Sequence, residues 1–212
     1  MLYPFLYAGG SGLDTLLEDV RRSTREKVED IVRLREAVLE QYAEDLAACA
    51  ARMAGAFRSG GRLFTFGNGG SSTDAQDVAS LFLNPGGSAR PLPALALTTD
   101  VAVVTALSND VGFEVVFARQ LAAFGRPGDI ALALSTSGNS DNLIAALREA
   151  ARRGMTVVGL AGYTGGQMAE TPGLHHLFTV PSSSVHRVQE AQTTIYHALW
   201  ELTQLELAGE AF

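Results

Sequence analysis

The chain has 212 residues, which corresponds to one domain with some additional mass. Charged residues make up only 18% of it, against about 25% in an average soluble protein, so we expect other copies of the chain to cover part of its surface. The net charge of −7 and the lack of a basic patch argue against direct binding of nucleic acid.

Cysteine usage and hydropathy limit the class of protein further. Cys49 is the only cysteine, so neither an internal disulfide nor a zinc cage built from cysteines can form. The apolar run at 1–10 carries no Lys or Arg and lacks a signal-peptide core, and no stretch approaches the ~18 apolar residues of a membrane helix. We therefore expect a cytoplasmic protein with no membrane partner.

The first predicted element is helical. Residues 13–58 are rich in Leu, Ala, Glu and Arg, with apolar side chains three and four positions apart. This pattern predicts two helices, or one long helix with a break. Its apolar stripe must lie on the rest of the fold or on another copy of the chain.

After Gly60, short apolar runs alternate with helical patterns. The predicted strands are residues 62–66, 94–97, 129–134, 155–160 and 176–180, and a last helix is predicted at about 185–207. This alternation favours an α/β fold whose parallel sheet is covered on both faces. Ligands of such sheets bind beyond the carboxyl ends of the strands, so the loops after Phe66 and Leu134 are the expected site.

The first of these loops, here called the glycine loop, is residues 67–73 and reads GNGGSST. Glycines let backbone N–H groups approach an anion, hydroxyls add donors, and the following helix contributes its positive end. The loop therefore suits a phosphate, although it is neither Gly-x-Gly-x-x-Gly nor a Walker loop. A tight turn in which Ser71 or Asp74 caps the helix explains it equally well.

The second loop, here called the serine loop, is residues 135–140 and reads STSGNS, with four hydroxyls in six residues. Hydroxyls can satisfy phosphate oxygens without positive charge, whereas capping a helix would need one serine rather than four. Turn chemistry alone is a poor explanation for two such loops after neighbouring strands. The pair predicts a shared phosphate site.

Three motifs in this order resemble one known family. GNGGS at 67–71, STSGNS at 135–140 and RVQE at 187–190 resemble the SIS (sugar isomerase) domain. Within it they resemble the branch that contains bacterial phosphoheptose isomerase, also called sedoheptulose 7-phosphate isomerase, and a replication-initiator-associating regulator. The resemblance extends over about residues 25–205.

The resemblance implies a three-layer, flavodoxin-like α/β fold of about five parallel strands with an N-terminal helical extension. It also implies a homotetramer with active sites at subunit interfaces. The chain would then consist of an N-terminal tail at 1–12, helices at 13–60 that pack on the core and between subunits, and a sugar-phosphate-binding SIS domain at 61–208.

The ligand implied by the resemblance is a phosphorylated sugar. The residues expected to bind it are Asn68, Gly69, Gly70, Ser71, Asp110, Ser135, Thr136, Ser137, Ser140 and Gln189. Aldose–ketose isomerisation also needs groups that remove and return a proton. His197 and Asp77 are the catalytic candidates for this transfer.

The sequence departs from the isomerases at their acid–base position. Those enzymes carry a His and, four residues later, a Glu on the helix that follows the glycine loop. In this chain the corresponding residues are Asp77 and Leu81, and leucine cannot carry a proton. Asp74, Asp100 and Asp110 are the other carboxylates that could replace the missing glutamate.

The retained positions on the last helix also have two interpretations. His197 can act as an acid or base, or it can pack at an interface among Tyr196, Leu199 and Trp200. Gln189 can bind substrate or fix the helix in the tetramer. At the positions of the family's zinc site this chain has Asp77, Gln189 and His197, which are a poor set for tetrahedral zinc. We therefore predict no cofactor from the residues, and zinc is an expectation from the family resemblance alone.

Two hypotheses for function follow, and a third is weaker. The chain is a sugar-phosphate isomerase, or it is a catalytically degenerate tetrameric regulator or scaffold of the same branch that works through a protein partner. Leu81 motivates the second hypothesis, because the related regulator also has an apolar residue there. A sugar-sensing transcription regulator is weaker, since no helix-turn-helix segment is present and the chain is acidic.

Overall fold

The computed structural model describes residues 13–87 and 89–209. Its helices are α1 (Leu13–Arg58), α2 (Gly70–Leu83), α3 (Val101–Asp110), α4 (Val116–Phe124), α5 (Asp141–Arg152), α6 (Gly166–Ala169) and α7 (Val185–Ala208). Its strands are β1 (Leu63–Gly67), β2 (Ala94–Ala96), β3 (Ile130–Leu134), β4 (Thr156–Gly162) and β5 (His176–Val180). The expected tail at 1–12 lies outside the described residues.

The five strands form one parallel sheet in the order β2-β1-β3-β4-β5. Each predicted strand is confirmed within two residues of its ends, because buried parallel strands are continuous apolar runs. Every residue of β1 and of β3 is buried. These two central strands are neighbours, as the expected juxtaposition of the two loops requires.

Helices cover both faces of the sheet, which confirms the three-layer prediction. Successive side chains of a strand point to opposite faces, so Leu63 packs into one core and Phe64 into the other. The first core lies beneath α1, α2 and α7 and includes Met53. The second lies beneath α4 and α5 and includes Phe117 and Leu147.

The expected break in the N-terminal helix is wrong, because α1 is one continuous helix of 46 residues. Residues 13–54 contain neither Gly nor Pro, so nothing in this stretch interrupts the helical hydrogen bonds. The C-terminal half of α1 packs along α7 and covers the edge strand β5, where the Tyr42 hydroxyl accepts a hydrogen bond from the Thr179 N–H at 3.1 Å.

The N-terminal half of α1 is less buried than the C-terminal half. Val38 is the first buried residue of the helix among the side chains that the structure describes. Val28 and Leu39 remain 55% and 63% exposed, so an apolar stripe faces outward on this helix. Among residues 13–87 and 89–209, no helix combines the length and the apolar character needed to cross a bilayer.

Candidate functional site

The glycine loop and the serine loop meet at the carboxyl edge of the sheet. The pairing of β1 with β3 ends at Gly67 and Leu134, which are register partners. Each strand then leads through its loop into a helix, α2 or α5. The N-termini of two helices therefore point toward the same edge.

Two glycines of the first loop, Gly67 and Gly69, are required by its tight backbone, and a third, Gly70, lies against a side chain of α7. A Cβ on Gly67 would collide with the backbone oxygen of Ser71, and one on Gly70 would collide with the side chain of Gln189. Gly69 adopts a φ of +56°, a conformation that other residues rarely take. The tight backbone thus brings Gln189 against the first turn of α2.

A cavity of about 70 Å³ lies between the two loops. It is lined by Asn68, Ser71, Leu134, Ser135, Thr136, Ser137 and Ser140. One water needs a cavity of roughly 10–15 Å³, so this space is large enough for a small polyatomic group. The structure thus brings six of the predicted binding residues together around one space. This space, lined by these six residues and Leu134, is here called the hydroxyl cavity.

The hydroxyls of the serine loop retain their donor capacity. Ser135 Oγ accepts a hydrogen bond from the Gly138 N–H at 2.9 Å, and Ser137 Oγ accepts one from the Asn139 N–H at 3.2 Å. An accepting hydroxyl can still donate its own hydrogen. Within the described residues the Thr136 and Ser140 hydroxyls make no hydrogen bond to the protein.

The alternative that Ser71 or Asp74 caps the helix after the glycine loop is wrong. Gly69 is the N-cap of α2, so neither Ser71 nor Asp74 caps this helix. Ser140 is the N-cap of α5, but its side chain accepts no capping hydrogen bond. Three residues that line the cavity, Ser71, Thr136 and Ser140, thus have hydroxyls with no hydrogen bond to the described protein, beside two helix N-termini, an arrangement that favours an anion.

Asn142 and Gln192 are buried amides that the sequence analysis missed, and both support these loops. Asn68 and Asn142 exchange two side-chain hydrogen bonds of 2.9 Å each. Gln192 of α7 donates from Nε2 to the Ser135 carbonyl at 2.8 Å, and no described group satisfies its buried Oε1. The sequence did contain a signal for Asn142. It lies one helical turn before Ala146, on the apolar face of α5, where a polar side chain indicates a buried hydrogen bond.

The predicted catalytic residue Asp77 lies on the exposed side of α2. Its Oδ2 accepts a hydrogen bond of 2.6 Å from the Tyr196 hydroxyl of α7. Burial, together with this hydrogen bond to Asp77, raises the pKa of Tyr196 above its ordinary value. Tyr196 is thus a neutral donor near physiological pH.

Gln189 lies one helical turn closer to the glycine loop than Thr193 and faces Asp74. Its Nε2 donates to Asp74 Oδ2 at 3.4 Å. Burial raises the pKa of the Asp74 carboxyl. The hydrogen bond from Gln189 lowers this pKa and the negative charge of Asp77 raises it, and the net shift is upward. Two acidic side chains and one amide therefore line the contact between α2 and α7.

His197 is exposed, and its ring stacks on Tyr196 with the centroids 4.9 Å apart. Its Nδ1 lies 2.8 Å from the Thr193 carbonyl, which can only accept, so Nδ1 carries the hydrogen. In the neutral ring Nε2 then has a free lone pair, as a base requires.

The remaining predicted positions lie apart from the hydroxyl cavity. Asp110 ends α3, where its carboxylate accepts a hydrogen bond from the Asn109 side chain at 2.7 Å, and it does not line the cavity. Asp100 caps α3 by accepting from the Val103 N–H at 3.0 Å. Leu81 is half-buried and packs against the core beneath α1, α2 and α7.

The residues of the described chain do not fit zinc. No three His, Cys, Asp or Glu side chains among residues 13–87 and 89–209 come together as metal ligands. Asp77 is engaged by Tyr196, and the Gln189 amide nitrogen is directed at Asp74. Zinc needs three or four Cys, His, Asp or Glu ligands in tetrahedral geometry, and an amide beside two carboxylates that already have hydrogen-bond partners does not supply them.

Comparison with known proteins agrees with this architecture. The model of the SIS domain family matches residues 28–162. The phosphoheptose isomerase of Aquifex aeolicus is 42% identical over 190 residues, which cover 89% of this chain and 96% of that protein. The phosphoheptose isomerase of Desulfovibrio desulfuricans is 45% identical over 179 residues, 84% of each.

Solved structures give the same result. The phosphoheptose isomerase from Neisseria gonorrhoeae matches with a TM-score of 0.78 and 34% identity, covering 86% of this chain and 97% of that one. The phosphoheptose isomerase from Francisella tularensis matches with a TM-score of 0.78 and 33% identity, covering 89% and 97%.

The layered sheet with its hydroxyl-lined loops is thus a SIS-type α/β domain, and the chain belongs to the SIS domain family. Within that family it is a phosphoheptose isomerase-like protein, which confirms the resemblance seen in the sequence.

Proposed function

We propose that this protein binds a phosphorylated sugar, with the phosphate in the hydroxyl cavity, and interconverts its aldose and ketose forms. The carrying observation is the cavity itself, in which hydroxyls from two loops converge beside two helix N-termini. The names of the relatives favour a phosphoheptose as the substrate, and we propose sedoheptulose 7-phosphate as that substrate.

The acid–base groups we assign are His197 and Asp77. Tyr196 lies between them, because its ring stacks on His197 and its hydroxyl bonds to Asp77. The reacting carbons of a heptose 7-phosphate are at the opposite end of the molecule from its phosphate. Gln189 lies against Gly70 of the glycine loop, and His197 lies about 12 Å farther along α7, so His197 suits the far end of a long sugar whose phosphate is in the hydroxyl cavity.

The proton transfer runs through an enediol. His197 Nε2 removes a proton from C1 of the ketose while the C2 carbonyl oxygen gains one, which gives the enediol. Return of a proton to C2, with loss of the C1 hydroxyl proton, completes the aldose. Asp77 is the second group of this exchange, and the Tyr196 hydroxyl holds its carboxylate in place.

A homotetramer is part of this proposal. Val28, Val32 and Leu39 are exposed apolar residues of α1, and the whole chain carries little charge. Helices with an uncovered apolar stripe pack against a partner. Another copy would also cover the exposed His197. Native mass spectrometry at several protein concentrations measures the subunit number, and a monomer throughout would refute this part.

Leu81 favours a second candidate function. A half-buried leucine stands where the isomerases of the branch carry an acid–base glutamate, so the chain would bind a sugar phosphate and act as a regulator through a protein partner. The double variant Leu81→Glu with Asp77→His separates the candidates. Activity that arises only in this variant supports loss of chemistry on a preserved scaffold.

Isotope exchange tests the proposed reaction directly. The protein is incubated with sedoheptulose 7-phosphate in D2O, in metal-free buffer and with added zinc, and NMR follows deuterium at C1 and C2. We expect incorporation by the wild type and none by His197→Asn. Absence of exchange under both conditions, with the sugar phosphate still bound, would exclude the isomerase and leave the binding protein.

A further inference from the structure

The two loops of the hydroxyl cavity have one direct connection beyond the sheet. The β1–β3 pairing ends at Gly67 and Leu134. Past that point, the described hydrogen bonds that join residues 68–73 to residues 135–144 are the two between the side chains of Asn68 and Asn142. Each amide uses one donor and one acceptor, so the pair fixes both distance and orientation.

Backbone hydrogen bonds join the segments that carry this amide pair to two residues that line the cavity, Ser71 and Ser140. The Asn68 carbonyl accepts the Ser71 N–H at 3.0 Å, on the glycine loop. On the other side, the Ser140 carbonyl accepts the Leu143 N–H at 3.0 Å, in the first turn of the helix that carries Asn142. Asn68 is thus hydrogen-bonded to the Ser71 backbone, and Asn142 lies two residues after Ser140 in the same helical turn, so the amide pair joins the two walls of the cavity.

We propose that Asn142 is a positioning residue, which acts through Asn68 to set the spacing of the Ser71 and Ser140 hydroxyls. Asn142 is only 3% exposed, so water cannot replace a lost partner. The side chain of Asn68 is held by this pair, and its role is to place the loop. The inference rests on the proposed phosphate binding in the hydroxyl cavity.

A double-mutant cycle tests whether the two asparagines act as a unit. Asn142→Leu, Asn68→Leu and the double variant are titrated with inorganic phosphate by calorimetry, well below their melting temperatures. We expect each single change to weaken binding about tenfold, as loss of one such interaction implies, and the double change to cost no more than either single one. Additive losses, or no loss for Asn142→Leu, would overturn the proposal.

The matched control is Gln120→Leu. Gln120 is a buried amide on α4 that donates to the Leu97 and Val116 carbonyls at 3.0 and 3.1 Å, outside the two loops. Its loss should lower the melting temperature without changing phosphate affinity. If Gln120→Leu weakens phosphate binding as much as Asn142→Leu, the role of Asn142 is merely structural.

Amide hydrogen exchange gives a readout that needs no ligand. Asn142→Leu should speed exchange in residues 68–72, which are far away in the sequence, whereas Gln120→Leu should not. If the wild type binds no phosphate but exchange rises as expected, the proposed function fails and the positioning role stands. Unchanged exchange in residues 68–72 would refute the positioning role whatever the phosphate titration shows.

Discussion

The hydroxyl of Tyr196 donates a 2.6 Å hydrogen bond to Oδ2 of Asp77, across the contact between α7 and α2. The same ring stacks on His197. One buried tyrosine thus orients an exposed carboxylate and supports an exposed imidazole. It links two residues that the sequence analysis selected separately as catalytic candidates.

Removal of this hydroxyl should reduce stability measurably. Tyr196→Phe leaves the ring and its packing but deletes the donor to Asp77, so we expect the free energy of unfolding to fall by about 1 kcal/mol in urea titrations. Tyr163→Phe is the control, because its exposed hydroxyl bonds only to the Ser183 carbonyl. Equal losses in the two variants would show that the contact with Asp77 contributes nothing particular.

Asp74 should make the protein less stable at neutral pH than an uncharged residue would. Its folded-state pKa is raised from 3.8, mainly by burial, so its stabilising contribution is fully present below pH 3.8 and is lost as pH rises through the folded value. Asp74→Asn should therefore unfold at a higher urea concentration than wild type at pH 7. The difference should vanish near pH 3, and a variant less stable at pH 7 would contradict the assignment.

Two serines of the cavity should respond differently to truncation. Ser140→Ala removes a hydroxyl that caps nothing, so the unfolding free energy should change by less than about 0.5 kcal/mol while phosphate affinity falls about tenfold. Ser135→Ala also removes the acceptor of the Gly138 N–H and should lose stability as well as affinity. Calorimetric titration with phosphate and urea unfolding measure both. Equal stability losses would mean that Ser140 does cap α5.

The turn of the serine loop depends on Gly138. This residue has a φ of +68°, and a Cβ on it would collide with the Gly165 carbonyl oxygen. Gly138→Ala should therefore destabilise the protein and abolish phosphate binding. Gly128→Ala is a matched control, because Gly128 has a φ of +88° but open space around its Cβ position. Backbone strain alone, about 1 kcal/mol, is expected there, with phosphate affinity unchanged.

The sequence predicts the sheet and the loops well because these depend on local pattern. Apolar runs define the strands, and the carboxyl edge of a parallel sheet brings loops from neighbouring strands together. The break expected in α1 was wrong because apolar spacing alone does not show where a helix is interrupted, whereas the absence of Gly and Pro from residues 13–54 favours a continuous helix.

Side-chain pairs between residues far apart in the sequence could not be predicted from local pattern. Asn68 and Asn142 are 74 positions apart, and Asp77 and Tyr196 are 119 apart. Single residues carry no information about which distant partner they meet. Asn142 and Gln192 did carry a partial signal, since each is polar on the buried face of an amphipathic helix. That signal indicates a buried hydrogen bond but not its partner.

Calorimetric titration of the protein with sedoheptulose 7-phosphate and, separately, with sedoheptulose tests the phosphate site most directly. The hydroxyl cavity predicts saturable binding of the phosphorylated sugar, at least tenfold weaker binding of the free sugar, and loss of the difference in Ser137→Ala. Equal affinity for the two sugars, or an unchanged preference in Ser137→Ala, would contradict the assignment of this cavity to phosphate.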